Sequence, residues 1–192
     1  SSVGLYLVVS SNDALTNLDG LSNISEVDGH LSVSYNSALT NVDGLGNLTS
    51  VDGNLIIKDN NALTNVDGLS NISELDSNLA VFSNASLINL DGLSNLTSVD
   101  SWLYVVDNAA LSVFCGLYPI LSSGGLSGNY NVHDNLINPT QQQIIDDGPC
   151  MPTALGENEL LPNSYPYIRT IPTPLTQRLI SATLFPISHQ SS

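Results

Sequence analysis

The sequence predicts an all-β fold: a right-handed parallel β-solenoid of five 24-residue coils, followed by a disulfide-tied C-terminal cap and an extended proline-rich tail. Three observations lead to this fold class. A 24-residue repeat runs from residue 1 to about residue 116. Apolar and polar residues alternate at the same place in each repeat. Asn, Asp, Ser, Thr and Gly are too dense throughout for amphipathic helices.

Each repeat contains one clear predicted strand. Its first buried position is leucine in every coil, at Leu7, Leu31, Leu55, Leu79 and Leu103. Its second buried position, two residues later, is Val9, Val33, Ile57, Val81 and Val105. Five further apolar columns start at Leu15, Leu18, Leu21, Ile24 and Val27. Because the period is constant, like residues should stack, and strands of neighbouring coils should pair in parallel about 4.8 Å apart.

Polar columns mark the bends between these strands. An asparagine column (Asn12, Asn36, Asn60, Asn84, Asn108) predicts an internal ladder of amides at one corner, because Asn tolerates left-handed backbone and bonds to its own kind in the next coil. A glycine column (Gly20, Gly44, Gly68, Gly92, Gly116) predicts either positive φ or close approach of backbones.

Two aspartate columns also fall beside bends. They comprise Asp19, Asp43, Asp67, Asp91 and Asp28, Asp52, Asp76, Asp100. We expect these carboxylates to cap turns by accepting from nearby N–H groups. Stacked carboxylates repel one another, and a bound calcium ion would relieve that repulsion. No Asp-x-Asp-x-Asp loop occurs, however, so we expect no cofactor.

The segment from Val51 to Leu69, VDGNLIIKDNNALTNVDGL, resembles the repeats of receptor L domains and their bacterial leucine-rich-repeat relatives at the cell surface. The likeness covers residues 5–121. The chain departs from ordinary leucine-rich repeats because two residues, rather than one, separate the Asn from the following Leu, and because no helix-forming stretch follows. The resemblance therefore implies a three-sided β-helix, and a recognition function whose partner it leaves open.

The only two cysteines are Cys115 and Cys150. They are either two buried thiols or a disulfide, and the disulfide is favoured in an isolated pair. Such a bond places the protein in an oxidising compartment, secreted or at the cell surface.

The expected domain organisation follows from these patterns: repeats over residues 1–121, a cap over 122–150, and a proline-rich arm over 151–192. In the cap, Asn138 or Thr140 can begin one helical turn through Ile144 and Ile145. The arm has six prolines and no Asp, which excludes long helices and central strands and leaves either a mobile tail or an arm that docks on something.

Charge and composition exclude several function classes. Residues 1–150 carry 16 of the 18 acidic residues and one basic residue, Lys58. Such a body repels nucleic acid and anionic lipid, and no apolar run is long enough for membrane insertion.

Catalytic chemistry is not indicated. The repeated Asp positions have similar surroundings in every coil, so no pair of carboxylates stands out as a catalytic acid and base. Apart from Lys58, residues 1–150 contain no lysine or arginine that could act as a cationic base. His30, His133 and His189 are isolated in the sequence and are interpreted as surface residues. We therefore expect no enzyme.

Five Asn-x-Ser/Thr sequons occur, at Asn23, Asn47, Asn71, Asn84 and Asn95. Four share one column, so the repeat accounts for them as readily as selection for glycans does.

The variable outward positions of the strands are the best functional indication. Phe82, Trp102, Tyr104 and Val106 fall on the last two coils and form a candidate interface, unless the cap or tail covers them. In the arm, the candidate docking residues are Tyr165, Tyr167, Ile168, Leu179, Leu184 and Phe185.

Two functions fit these features. The first is an extracellular, non-catalytic recognition or adhesion module that binds a protein or glycan at the cell surface. The alternative is a structural subunit of a filament or surface layer, whose copies assemble through the solenoid ends and the arm.

Overall fold

The computed structural model describes residues 1–150; residues 151–192, with all the arm's candidate docking residues, lie outside the described part. The described chain forms eleven strands, β1 to β11, two short α-helices, and one 3₁₀ helix in each of five coils. The strands are β1 Ser2–Val3, β2 Leu7–Ser10, β3 Glu26–Val27, β4 Leu31–Ser34, β5 Ser50–Val51, β6 Leu55–Lys58, β7 Glu74–Leu75, β8 Leu79–Phe82, β9 Ser98–Val99, β10 Leu103–Val106 and β11 Tyr130–His133. The α-helices are α1 Tyr118–Ser122 and α2 Gln141–Asp147.

Two parallel sheets and a row of 3₁₀ helices make up the coils. The long strands form a six-stranded sheet in the order β11-β10-β8-β6-β4-β2, and the two-residue strands form a five-stranded sheet in the order β1-β3-β5-β7-β9. The 3₁₀ helices span Asp19–Leu21, Asp43–Leu45, Asp67–Leu69, Asp91–Leu93 and Cys115–Leu117. Leu31 pairs with Leu55 and Leu55 pairs with Leu79, so each coil advances the register by one sequence repeat. The parallel β-solenoid predicted from the sequence is confirmed.

The apolar columns form one continuous core. Leu55, Ile57, Leu63, Val66 and Leu69 in the third coil are each 0% exposed. The residues that alternate with them in the strands, such as Ile56 and Lys58, point outward, because successive side chains of a strand face opposite sides. Burial of these columns is the main stabilising contribution in a fold whose coils contact only their neighbours.

The glycine column allows the coils to stack closely. A Cβ atom built on Gly68 would lie 2.0 Å from the carbonyl oxygen of Val42 in the preceding coil. The same clash, at 1.8 to 2.0 Å, occurs at Gly44, Gly92 and Gly116. Close approach of backbones, the second of the two expected reasons, therefore explains this column.

The aspartates at the 3₁₀ helices do not cap them, so that expectation is wrong. The cap is the asparagine two residues earlier: Oδ1 of Asn41 accepts a hydrogen bond from the backbone N–H of Asp43 at 3.2 Å. Asn17, Asn65 and Asn89 do the same for Asp19, Asp67 and Asp91. The Asp side chains are left to stack along the outer surface.

The solenoid continues one strand beyond the five coils. Strand β11 pairs in parallel with β10, with Leu103 opposite Tyr130 and Val105 opposite Val132. Helix α2 then covers the core through Ile144, which is 2% exposed. Thr140 begins this helix and makes a reciprocal pair of capping bonds with Gln143, as the sequence predicted for one of its two candidates.

The Cys115–Cys150 disulfide is present, with an S–S distance of 2.08 Å. It links the 3₁₀ helix of the fifth coil to Cys150, the third residue after the end of α2. Because it closes a loop of 35 residues around the cap, it stabilises the end of the solenoid.

Candidate functional site

The candidate site is the outward face of the six-stranded sheet. Its foundation is the asparagine ladder at the corner where the long strands end. Asn60 accepts from the backbone N–H and the side-chain amide of Asn36 at 3.1 and 3.2 Å, and Asn60 donates in turn to the carbonyl of Val33 at 2.9 Å. Asn36, Asn60, Asn84 and Asn108 are each 0% exposed. The predicted inward ladder is therefore confirmed.

The ladder extends past the fifth coil. Asn108 donates to Oδ1 of Asn135, and Asn135 donates to Oδ1 of Asn138, which ends the series. Left-handed backbone occurs one residue before each ladder asparagine, rather than at the asparagine itself. These residues are Ser11, Tyr35, Asp59, Ser83, Asp107 and Asp134, with φ between 52° and 60°. Their side chains project outward beside the sheet.

An unbroken row of ring and cation contacts crosses this face from the second coil to β11. We call Tyr35, Lys58, Phe82, Tyr104 and His133 the aromatic row. The Phe82 and Tyr104 rings meet edge to face at 5.6 Å, and the Tyr104 and His133 rings do so at 6.2 Å. Each contact joins neighbouring coils, so the row lies across the strands.

Lys58 is held at the N-terminal end of the aromatic row. Its ammonium lies 4.8 Å from the ring centre of Tyr35 and 5.0 Å from that of Phe82. It donates to the Tyr35 hydroxyl at 2.6 Å and lies 3.4 Å from a carboxylate oxygen of Asp59. Hydrogen bonding to Tyr35, more than the Asp59 charge, raises the pKa of Lys58 above its ordinary value.

Carboxylates line the margin of the face. Asp59, Asp107 and Asp134 occupy the left-handed position in the third coil, the fifth coil and the rung of β11. Asp107 accepts from the Ser83 hydroxyl at 3.2 Å, and Asp134 lies 2.8 Å from Nδ1 of His133. Lys58 is the one lysine or arginine among residues 1–150, and it reaches only Asp59 among these three.

The four candidate interface residues of the solenoid are placed differently from one another. Phe82 and Tyr104 contact each other, and Trp102 is 56% exposed just before β10. Val106 is only 6% exposed, because its strand position lies between Phe82 and His133 in register. Val106 therefore packs between these two neighbours and contributes little exposed apolar surface to the face.

Sequence reasoning missed Tyr35 and His133. Tyr35 stands out once the column after the strands is compared, since its equivalents are Ser11, Asp59, Ser83 and Asp107. His133 was interpreted as isolated because β11 was not recognised. His30 was interpreted in the same way, but its Nδ1 accepts from the backbone N–H of Asn54 at 2.8 Å and its ring stacks on Tyr6.

A second feature lies on the surface formed by the 3₁₀ helices. One carboxylate oxygen of Asp91 is 3.2 Å from each sulfur of the Cys115–Cys150 disulfide. Disulfide sulfurs carry no proton, so these contacts are not hydrogen bonds. Burial, followed by the charge of Asp67, raises the pKa of Asp91 above its ordinary value. Burial and the charge of Asp43 raise the pKa of Asp67 in the same way.

Asp91, Cys115 and Cys150 are also the one group of potential metal ligands that comes together within residues 1–150. The two sulfurs are bonded to each other, so the group holds no thiolate for a metal. The expectation that the protein holds no cofactor, with calcium at the Asp columns as the alternative, stays a prediction. No helix among the described residues has the length and apolar character needed to cross a membrane.

Parallel strands in register, leucine columns, an inward asparagine ladder and a disulfide-tied cap together define a leucine-rich parallel β-solenoid. Residues 49–116 match the receptor L domain family, so this solenoid is receptor L domain-like. Neither the comparison with curated proteins nor that with solved structures gave a match. Receptor L domains are non-catalytic ligand-binding domains and are typically extracellular.

Proposed function

We propose that this protein is an extracellular, non-catalytic recognition or adhesion module, and that it binds a protein partner through the aromatic row and its carboxylate margin. The observation that carries the proposal is that the Tyr104 ring contacts His133 across the β10–β11 pair, while Asp107 and Asp134 directly follow these two paired strands. The disulfide supports an oxidising location, and the family supports ligand binding in general.

The chemistry of the partner follows from the row itself. At its N-terminal end, Lys58 lies over two rings and beside Asp59. At its C-terminal end, a ring and carboxylates are again present, but residues 1–150 supply no lysine or arginine there, and His133 beside Asp134 is the one basic side chain. A lysine or arginine of a partner would complete it, with a contribution of about 0.5–2 kcal/mol from the cation–π contact. The formal net charge of −15 would attract such a partner over a longer range.

A pair of defined peptides tests this proposal. One octapeptide carries two arginines flanking a leucine, and its counterpart carries glutamates at those positions. Binding is followed by the fluorescence of Trp102, the single tryptophan, and by calorimetry in low and high salt. The arginine peptide should bind about tenfold more tightly than the glutamate peptide.

Matched variants locate the site. Asp107→Asn and Tyr104→Ala should each weaken binding of the arginine peptide. Asp52→Asn, which makes the same charge change on an exposed residue beside the five-stranded sheet, should not. Equal effects of Asp107→Asn and Asp52→Asn would show that only the net charge of the protein matters for binding. They would exclude a specific binding site at the aromatic row.

A second candidate, the structural subunit of a filament or surface layer, is favoured by a different surface. Ile88, Val113, Leu136 and Ile137 are 48%, 37%, 63% and 40% exposed. Val113 and Ile88 lie on neighbouring coils, since the backbone N–H of Val113 donates to Ile88 at 3.2 Å. Exposed apolar side chains on adjacent rungs are typical of surfaces that associate.

Sedimentation and negative-stain microscopy over a range of concentrations distinguish the two functions. A subunit should form polymers that Leu136→Asp disperses, while Tyr35→Asp, at an exposed residue of the second coil away from this surface, should leave them intact. A monomer at every concentration would favour the recognition module.

A further inference from the structure

We propose that Asn23, Asn47, Asn71 and Asn95 form a single ridge of N-glycan attachment sites, and that Asn84, the fifth sequon, cannot carry a glycan in the folded protein. The ridge lies in the segment between the 3₁₀ helices and the five-stranded sheet. All four ridge asparagines are exposed, whereas Asn84 is 0% exposed. The Asn-x-Ser/Thr rule by itself treats the five sequons alike.

The amide geometry of the ridge is compatible with modification. Nδ2 of Asn47 donates to the carbonyl of Ser22 at 2.7 Å, and Nδ2 of Asn95 donates to the carbonyl of Ser70 at 2.7 Å. Asn71 makes the equivalent bond to Gly46. An amide nitrogen carries two hydrogens, and each of these bonds uses one of them. The second hydrogen is available for replacement by a sugar.

The reaction needs a polyisoprenoid diphosphate-linked oligosaccharide and its transferase. The amide nitrogen forms a bond to C1 of the first sugar and loses one proton. The bond from C1 to the diphosphate oxygen breaks, and the diphosphate leaves with the electron pair. The remaining N–H can keep its bond to the preceding coil, so a glycan on the ridge does not disturb the stacking.

Asn84 offers no such hydrogen. Its Nδ2 donates to the carbonyl of Ile57 at 3.0 Å, to the carbonyl of Phe82 at 3.1 Å and to Oδ1 of Asn108 at 3.2 Å. Both hydrogens are therefore engaged inside the ladder, where a sugar has no room. A glycan attached at Asn84 before folding would prevent the third, fourth and fifth coils from closing around the ladder.

A glycan ridge would also give the molecule two different surfaces. The ridge lies beyond the 3₁₀ helices along each coil, whereas the aromatic row lies on the six-stranded sheet. Glycans on the ridge would leave the aromatic row uncovered. This consequence does not depend on what the row binds.

The test uses the full chain secreted from a eukaryotic host with N-glycosylation. Peptide N-glycosidase treatment in ¹⁸O water converts each glycosylated asparagine to labelled aspartate, which mass spectrometry locates. We expect label at the ridge positions and none at Asn84 in the folded, secreted protein. Absence of label from all four ridge positions, or label at Asn84, would overturn the proposal.

Two matched variants test competition between glycosylation and folding. Ser86→Ala removes the sequon of Asn84 and keeps its amide, and it should raise the yield of secreted protein by about twofold or more. Thr49→Ala removes the sequon of Asn47 and should abolish that label without raising the yield. Equal yields for Ser86→Ala and for the chain without substitutions would refute competition between glycosylation and folding.

Discussion

A carboxylate oxygen of Asp91 lies 3.2 Å from the sulfur of Cys115, and the same oxygen lies 3.2 Å from its disulfide partner Cys150. Cys115 occupies the position of the fifth coil that is Asp in the first four coils. The disulfide thus occupies the next position of the Asp column, and the last carboxylate of that column, Asp91, faces both sulfurs.

We predict that Asp91 slows reduction of this disulfide. Exchange requires an anionic thiolate to attack one sulfur and leaves negative charge on the other. A carboxylate in contact with both sulfurs opposes these two changes together by about 1 kcal/mol at a partly exposed site, so Asp91→Asn should accelerate reduction by dithiothreitol about fivefold at pH 8. Asp67→Asn, one coil earlier in the column, is the control. Equal rates in the two variants would show that contact with the sulfurs has no effect.

The Asp column should also make stability depend on pH. Burial first, and like charge second, raise the pKa of Asp67 and Asp91 above the ordinary 3.8. Between 3.8 and the raised values the folded state binds more protons than the unfolded state, so stability falls as pH rises through this window. The penalty is complete above the window and absent below it. Asp67→Asn should therefore raise the melting temperature at pH 7 and not at pH 3, with a gain below about 1 kcal/mol because the burial is partial and solvent still screens the carboxylate. An equal gain at both pH values would contradict this assignment.

The asparagine ladder should be sensitive to a break in its middle. Asn60→Ala leaves the buried N–H groups of Asn36 and the carbonyl of Val33 without their partner. We expect a loss of about 1–3 kcal/mol in the free energy of unfolding, measured by urea denaturation. Asn61→Ala, at the exposed neighbouring residue, should change it by less than about 0.5 kcal/mol. Similar values for the two variants would mean that the ladder contributes nothing specific.

The glycine column allows a comparison within one column. Gly68→Ala places a methyl group 2.0 Å from the carbonyl oxygen of Val42, so the two coils must separate. A built Cβ on Gly20 meets nothing within 4 Å, because it belongs to the first coil. We expect Gly68→Ala to destabilise the protein by more than about 2 kcal/mol and Gly20→Ala to have little effect, as thermal denaturation would show. Equal melting temperatures would contradict the close approach.

The docking of the arm between subunits, through residues from about 160 to 188, stays a prediction. This segment lies outside the described residues, and its Tyr165, Tyr167, Ile168, Leu179, Leu184 and Phe185 supply the apolar character on which the prediction rests. Truncation after Cys150 should lower the oligomeric state in analytical ultracentrifugation. The same oligomeric state in both forms would exclude the arm as the connector.

Most of the fold could be predicted because the repeat is regular. The long strand of each of the first five coils follows from columns such as that of Leu7, and the ladder follows from the column of Asn12. Strand β11 was missed because Asn135 follows Asn108 by 27 residues rather than 24, so the three extra residues hide Tyr130 and Val132 from a fixed-period comparison. The capping role of Asn41 was missed because Asn and Asp adjoin at each bend, and both residue types cap turns.

The candidate site was predictable only in part. Phe82 and Tyr104 are large apolar residues at outward positions, which alternation along a strand reveals. Val106 has the same alternation, but its neighbours on both sides cover it. Tyr35 belongs to a bend, where alternation gives no direction for a side chain.

The sequence by itself determined the period, the strands, the core columns and the inward asparagines of this protein, because a residue repeated at a constant interval meets the same surroundings in every coil. Only the tertiary structure decided which unlike residues meet across coils: Lys58 with Tyr35 and Phe82, or Asp91 with the disulfide. Only it showed that the side-chain amide of Asn84 uses both hydrogens inside the ladder, whereas Asn47, Asn71 and Asn95 each use one. The physical reason is that these relationships depend on the direction of each side chain and on the identity of the residue one coil away. At positions where the repeat varies, the repeating pattern specifies neither of these.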